Sequence, residues 1–159
     1  MNRGILILDS RYNVYNPKRR IVSSLLLDSS HLRWLCSNVK YGGNPQHKRK
    51  PGDFGLTPPS APRAAKSLCD EVSVFKRTEA LGLLKLGIKK GLISVQKRGQ
   101  GYPQNIWSVK TLADGRDVPL EAQLENSQNG TYHGYPLQPT DPMYKLVLEK
   151  WRSRPCLIS

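Results

Sequence analysis

The sequence predicts a small α+β domain: a helix packed on a four-stranded antiparallel meander, with a short C-terminal helix and an irregular N-terminal leader. Three observations carry that expectation. Leu81, Leu84 and Ile88, with Ala80 and Leu83 beside them, recur at the three-to-four spacing of one buried helix face. Downstream, short apolar runs of period two alternate with turn signals such as Asp114-Gly115 and Asn126-Ser-Gln-Asn-Gly130. Asp141-Pro142 then opens a last stretch of helical period. A chain of 159 residues is long enough for one compact core.

Taken in order, residues 1–40 read as a leader. Ile5–Leu8 could form a strand and Ser23–Cys36 a short helix, with Lys18-Arg19-Arg20 between them, but the period fits neither well. The domain proper is expected over 41–152, with 153–159 as a tail. Residues 41–63 are so dense in proline and glycine that they read as loop. The main helix starts near Ala64 or Ser73 and ends at Lys90, where a basic last turn meets Gly91. Four strands are expected to follow: Leu92–Gln96, Asn105–Lys110, Val118–Glu125 and Thr131–Tyr135. The closing helix would pack through Met143, Tyr144, Val147, Leu148 and Trp151.

Charge points to the partner. The net charge is +13 and falls unevenly: residues 1–50 hold ten basic and two acidic side chains, 51–100 nine and four, and 101–159 six of each. Clustered Lys and Arg commonly neutralise phosphate, so nucleic acid is the expected partner, RNA ahead of DNA. Cys36, Cys69 and Cys156 are odd in number and far apart, without a Cys-x-x-Cys pair. That pattern fits a reducing compartment rather than a zinc site or a disulfide framework, and no cofactor is expected. No apolar run approaches the ~20 residues that span a bilayer, so a cytoplasmic protein with no membrane partner is expected.

Two of the three histidines have chemical company. His47 lies among Lys48, Arg49 and Lys50, between Gly42-Gly43 and Pro51-Gly52. Cleavage of RNA through its 2′-hydroxyl needs a base, an acid and cations on the non-bridging oxygens, and this loop offers an imidazole with three cations. The competing reading is a basic loop that tracks nucleic acid and does no chemistry. His133 lies in Gly130-Thr-Tyr-His-Gly-Tyr135, where strand alternation puts Thr131, His133 and Tyr135 on one face. A catalytic set of His47 and His133, with Thr131 and Tyr135 positioning phosphate, is therefore expected; a polar strip packed on a helix is the alternative. His31, beside Leu32 and Trp34, reads as structural or disordered. Asp53 could orient His47 or cap its turn. Glu121 and Glu125 share a strand face and read as solvent-facing charge. Lys89, Lys90, Lys97 and Arg98 add candidate phosphate contacts.

Residues 79–109 also fit the end of a winged-helix domain: helix, strand, the basic turn Lys97-Arg-Gly-Gln-Gly101 and a return strand. No convincing second helix precedes it, and two further strands follow. A non-catalytic DNA- or RNA-binding regulator is thus the alternative function.

The pieces His47-Lys48, Asp53-Phe-Gly-Leu56, Gln104–Val109, Pro119–Leu124 and Gly130–Gly134, in that order, resemble the barnase–EndoU–colicin–RelE class of small ribonucleases. The likeness covers roughly residues 40–151. It implies a helical front on a four-stranded sheet, and a metal-independent endoribonuclease of toxin type. It further implies an acidic antitoxin or immunity protein as partner. His47, Lys48, Thr131 and His133 fall where that class places reactive groups.

Overall fold

The computed structural model describes residues 17–42, Val72, Val74 and 76–159. The expected strand at Ile5–Leu8 and the loop carrying His47 and Asp53 lie outside these residues; the main helix, expected from Ala64 or Ser73, begins only at Arg77, after an extended Lys76.

The three strands with the clearest alternation form as expected. β4 (Asn105–Thr111), β5 (Asp117–Asn126) and β6 (Thr131–Pro136) pair antiparallel in sequence order. The first turn is closed by Asp114, which accepts from the Arg116 backbone N–H at 3.0 Å and from its side chain at 2.9 Å, with Gly115 at φ +85°. In the second, the Asn126 side chain accepts from the Gln128 N–H at 2.9 Å. Both are Asx-type turns, in which a short side chain replaces a backbone acceptor.

The fourth strand is not the expected one. β1 (Lys40–Tyr41) joins the outer edge of β6, parallel to it, so the sheet order is β1-β6-β5-β4 and the sheet is mixed. Leu92–Gln96 forms only isolated bridges, Ile93 to Ile106 and Ile21 to Ser94. Its hydrogen bonds are divided between two neighbours. Trp107 N–H donates to Leu92 O and Ser94 N–H to Asn105 O, whereas Val22 N–H donates to Ile93 O and Val95 N–H to Arg20 O. The Asn105 N–H goes to the Ser94 hydroxyl at 3.0 Å, which interrupts the ladder on the β4 side. Beyond it, β2 (Lys97–Arg98) and β3 (Tyr102–Pro103) make a small separate hairpin.

Helices cover both sheet faces. On one face Ile106, Ala122 and Tyr132 meet Leu32 and Leu35 of α1 (Ser29–Asn38) and Ala80, Leu84 and Ile88 of α2 (Arg77–Lys89). On the other, Trp107 and Val109 meet Met143, Leu146 and Val147 of α3 (Met143–Ser153). Burying such side chains is the main stabilising term, about 1.5–3 kcal/mol for each fully buried one.

The described part of the expected leader, and the tail, both contribute to this core. Ile21, Leu32 and Leu35 are at most 1% exposed, and Ile158 is 6% exposed. The helix expected over Ser23–Cys36 is a single 3-10 turn at Ser24–Leu26 followed by α1, which Asp28 caps by accepting from the Ser30 N–H. The partners of Ile21 and Arg20 lie some seventy residues away, so local period could not reveal them.

Candidate functional site

The polar face of the sheet is built across three strands. Trp107, Glu121 and Tyr135 stand in one cross-strand row; Asn105, Gln123 and His133 stand in the next. Glu121, expected to face solvent, is 1% exposed. A buried carboxylate is costly unless its lone pairs are filled, and here they are. Its Oε2 accepts from Trp107 Nε1 at 2.8 Å and from Arg19 Nε at 3.0 Å, and its Oε1 accepts from the Tyr135 hydroxyl at 2.5 Å. Arg19 Nη2 also donates to both Asp141 oxygens at 2.8 Å. Burial alone would pull the Arg19 guanidinium down, but Glu121 and Asp141 outweigh it and hold it above its ordinary value. Asp141 also accepts from the Met143 N–H at 2.8 Å, at the start of α3.

These contacts fix where the Tyr135 proton lies. Burial, then the charge and hydrogen bond of Glu121, push its phenol well above the ordinary range, so it remains a donor to Glu121. Its oxygen accepts in turn from Gln123 Nε2 at 2.9 Å. Tyr135 is thus a link in a network with Glu121 and Gln123. Arg19 bridges two carboxylates, Glu121 and Asp141, across this face. Thr131 is also engaged locally: its hydroxyl donates to Asn129 Oδ1 at 2.7 Å and its N–H to the same atom at 3.1 Å. His133 lies half-buried opposite Gln123, on the same face as Thr131 and Tyr135, as alternation predicts.

The basic candidates separate into two kinds. Lys90 is a clamp on α3: its ammonium donates to Trp151 O at 2.7 Å and Arg154 O at 3.1 Å and lies 4.6 Å over the Trp151 ring. Lys89 is half-buried, and its carbonyl accepts from the Leu157 N–H. Lys97 and Arg98 are exposed on the β2–β3 hairpin. The hairpin tip holds Gly99 at φ +60° and Gly101 at φ +119°, conformations that favour glycine. His31 braces the tip. Its Nε2 bonds Gly101 O at 2.8 Å, its ring stacks on Trp34 at 6.1 Å, and Trp34 lies 4.9 Å from Tyr102. His47, Lys48, Arg49 and Lys50 lie outside the described residues. Among the described residues, no group of three or more His, Cys, Asp or Glu side chains could hold a metal ion. No helix among them is long and apolar enough to cross a membrane.

Sequence reading missed Arg19, Gln123 and Asp141. Arg19 looked like part of a charge run and Asp141 like a helix start alone; the links from Arg19 to Glu121 and to Asp141 span 102 and 122 positions and left no local signal. No family model, curated protein or solved structure matches this chain, so function must be argued from these residues.

Proposed function

We propose that this protein binds RNA and cleaves the bound strand by metal-independent acid–base chemistry, with His133 as the proton-transfer group on the sheet and His47 as its partner. The observation that carries the reading is the placement of a half-buried imidazole next to an ordered amide, His133 opposite Gln123, on the sheet face of a chain of net charge +13. Either imidazole, in its neutral form, would take the 2′-hydroxyl proton as O2′ bonds to phosphorus. The P–O5′ bond breaks, and the other imidazole, protonated, gives its proton to O5′. The products are a 2′,3′-cyclic phosphate and a 5′-hydroxyl. Lys48, Arg49 and Lys50 would neutralise the phosphate. Glu121 and Tyr135 hold the face in shape.

The test is direct. Pure protein with end-labelled RNA and a chelator should yield cyclic-phosphate ends, and His133→Ala and His47→Ala should each abolish cleavage while leaving RNA bound. RNA that stays intact with and without divalent metal sinks the catalytic part. A second reading then stands, favoured by the exposed Lys97 and Arg98 on a hairpin that follows a helix: a non-catalytic DNA- or RNA-binding regulator that contacts the backbone through the hairpin tip.

A further inference from the structure

We infer that Gln123 reads the exocyclic amino group of a nucleobase, so that the bound strand is preferred when it carries cytosine rather than uracil at this point; the inference rests on the RNA-binding reading above. Hydrogen-bond polarity runs from Arg19 and Trp107 through Glu121 and Tyr135 to Gln123. Glu121 is held by Arg19 and Trp107, which can only donate to it. As a carboxylate it is an acceptor only, so the Tyr135 hydroxyl must give its single proton to Glu121 Oε1. The Tyr135 oxygen then has only lone pairs to offer, and whatever approaches it must bring a proton. The Gln123 amide therefore turns its nitrogen to Tyr135, as the 2.9 Å contact shows, and its Oε1 away from it. The usual ambiguity of an amide is thus removed by its neighbours, not by its own shape.

What Gln123 offers a ligand is an oriented carbonyl oxygen on the sheet face, half-buried between Asn105 and His133. Such an acceptor matches an N–H donor. Cytosine and uracil are nearly identical in shape, but cytosine carries the N4 amino donor where uracil carries the O4 acceptor. Uracil would set two oxygens against each other, whereas cytosine completes the chain of donors and acceptors; adenine, through N6, belongs with cytosine. Sites built around a hydrogen bond reject the analogue that lacks it far more strongly than apolar pockets reject a shape change.

Fluorescent 2′-O-methyl oligomers of cytidine and uridine, about 12 nucleotides long, cannot be cleaved through the 2′-position and isolate binding. The wild type should bind oligo(C) roughly five- to tenfold more tightly than oligo(U), the worth of one good hydrogen bond. Gln123→Met and Gln123→Ala should bring that ratio to about one by weakening oligo(C) alone, with circular dichroism confirming the fold of each. Tyr135→Phe, which removes the partner that orients the amide, should give an intermediate ratio because Tyr135 is a positioning residue here. Equal binding of both oligomers by the wild type, or a cytosine preference that survives both Gln123 variants, overturns the inference while RNA binding stands. Binding of neither oligomer overturns the inference and the RNA-binding reading together.

Discussion

Lys90 and Arg154 each secure the end of the helix that the other one follows. Lys90 comes directly after α2, and its ammonium binds Trp151 O in the last turn of α3 and Arg154 O just past it. Arg154 comes directly after α3, and its guanidinium binds Gly91 O at 2.8 Å, just past α2, and Val22 O at 2.7 Å. The two helices lie on opposite faces of the sheet, so this exchange ties the outer layers together beyond the sheet's end.

Removing Arg154 should therefore be costly. It is 7% exposed, and Arg154→Ala leaves the Gly91 and Val22 carbonyls without these donors. Charged hydrogen bonds contribute about 1.5–3 kcal/mol each, so a loss of about 3 kcal/mol is expected in urea denaturation. Arg154→Lys should recover only part of it, because a single ammonium lacks the planar fork that reaches two separate carbonyls. A variant as stable as the wild type would refute the role of the exchange.

The same contacts predict how the lysines divide in RNA binding. Lys90→Met should lower stability and leave the salt dependence of RNA affinity unchanged, since its charge serves α3. Lys97→Ala and Arg98→Ala, both at exposed positions, should leave the unfolding midpoint in place and each reduce the salt slope by about 0.7. Filter binding over a series of salt concentrations measures both outcomes. A slope that falls with Lys90→Met and not with the hairpin variants would reverse the assignment.

What the sequence made legible follows from how local each signal is. The Asp114-Gly115 and Asn126–Gly130 turns, the alternation of Leu120, Ala122 and Leu124, and the face of α2 are fixed by neighbours within a few residues, and each forms. The parallel strand Lys40–Tyr41 is two residues long and exists through its pairing with Thr131 and Tyr132, some ninety positions away. Nothing in Lys-Tyr announces a strand. Leu92–Gln96 misled for the opposite reason: its β-like composition is real, but Ser94 and the Ile21 segment divide its pairing. At the site, alternation correctly placed His133 with Tyr135. It could not show that Glu121 lies buried, because that depends on Arg19 arriving from the far end of the chain.

Cysteine reactivity offers a pH-dependent check on the packing of α1 against α2. Cys36 is half-buried, with its sulfur 3.9 Å from Lys85 O. Burial pushes its thiol above the ordinary value, and Lys89 and then Lys85 only partly offset that shift. The folded state therefore retains the proton more firmly than the unfolded chain. Its stabilising contribution is complete below the ordinary thiol range, about pH 8.5, and is lost as pH rises through the higher folded value. Alkylation by iodoacetamide, followed by peptide mass spectrometry, should label exposed Cys156 well before Cys36 near neutral pH. The Cys36 rate should keep climbing into alkaline solution. Equal rates at neutral pH would contradict the observed burial.

Two glycines in α2 should respond to the same substitution with opposite signs. Ala exceeds Gly in helix propensity by about 0.8–1 kcal/mol, so propensity alone would favour alanine at both. Gly82 is exposed, and an added Cβ meets nothing within 4 Å. Gly82→Ala should therefore stabilise the protein by close to the full difference. Gly87 is buried where α2 touches β4, and an added Cβ would fall inside the van der Waals radius of the Trp107 carbonyl oxygen and 3.3 Å from Ser108 Cβ. Backbone cannot rotate away as a side chain can. Helix and strand must separate, at the cost of packing around Leu84, Ile88 and Ile106, so Gly87→Ala should destabilise by about 1–3 kcal/mol despite its better propensity. Thermal or urea unfolding of the two single variants decides the matter: opposite shifts are expected, and a stabilising Gly87→Ala would show that α2 does not rest on β4 at that point.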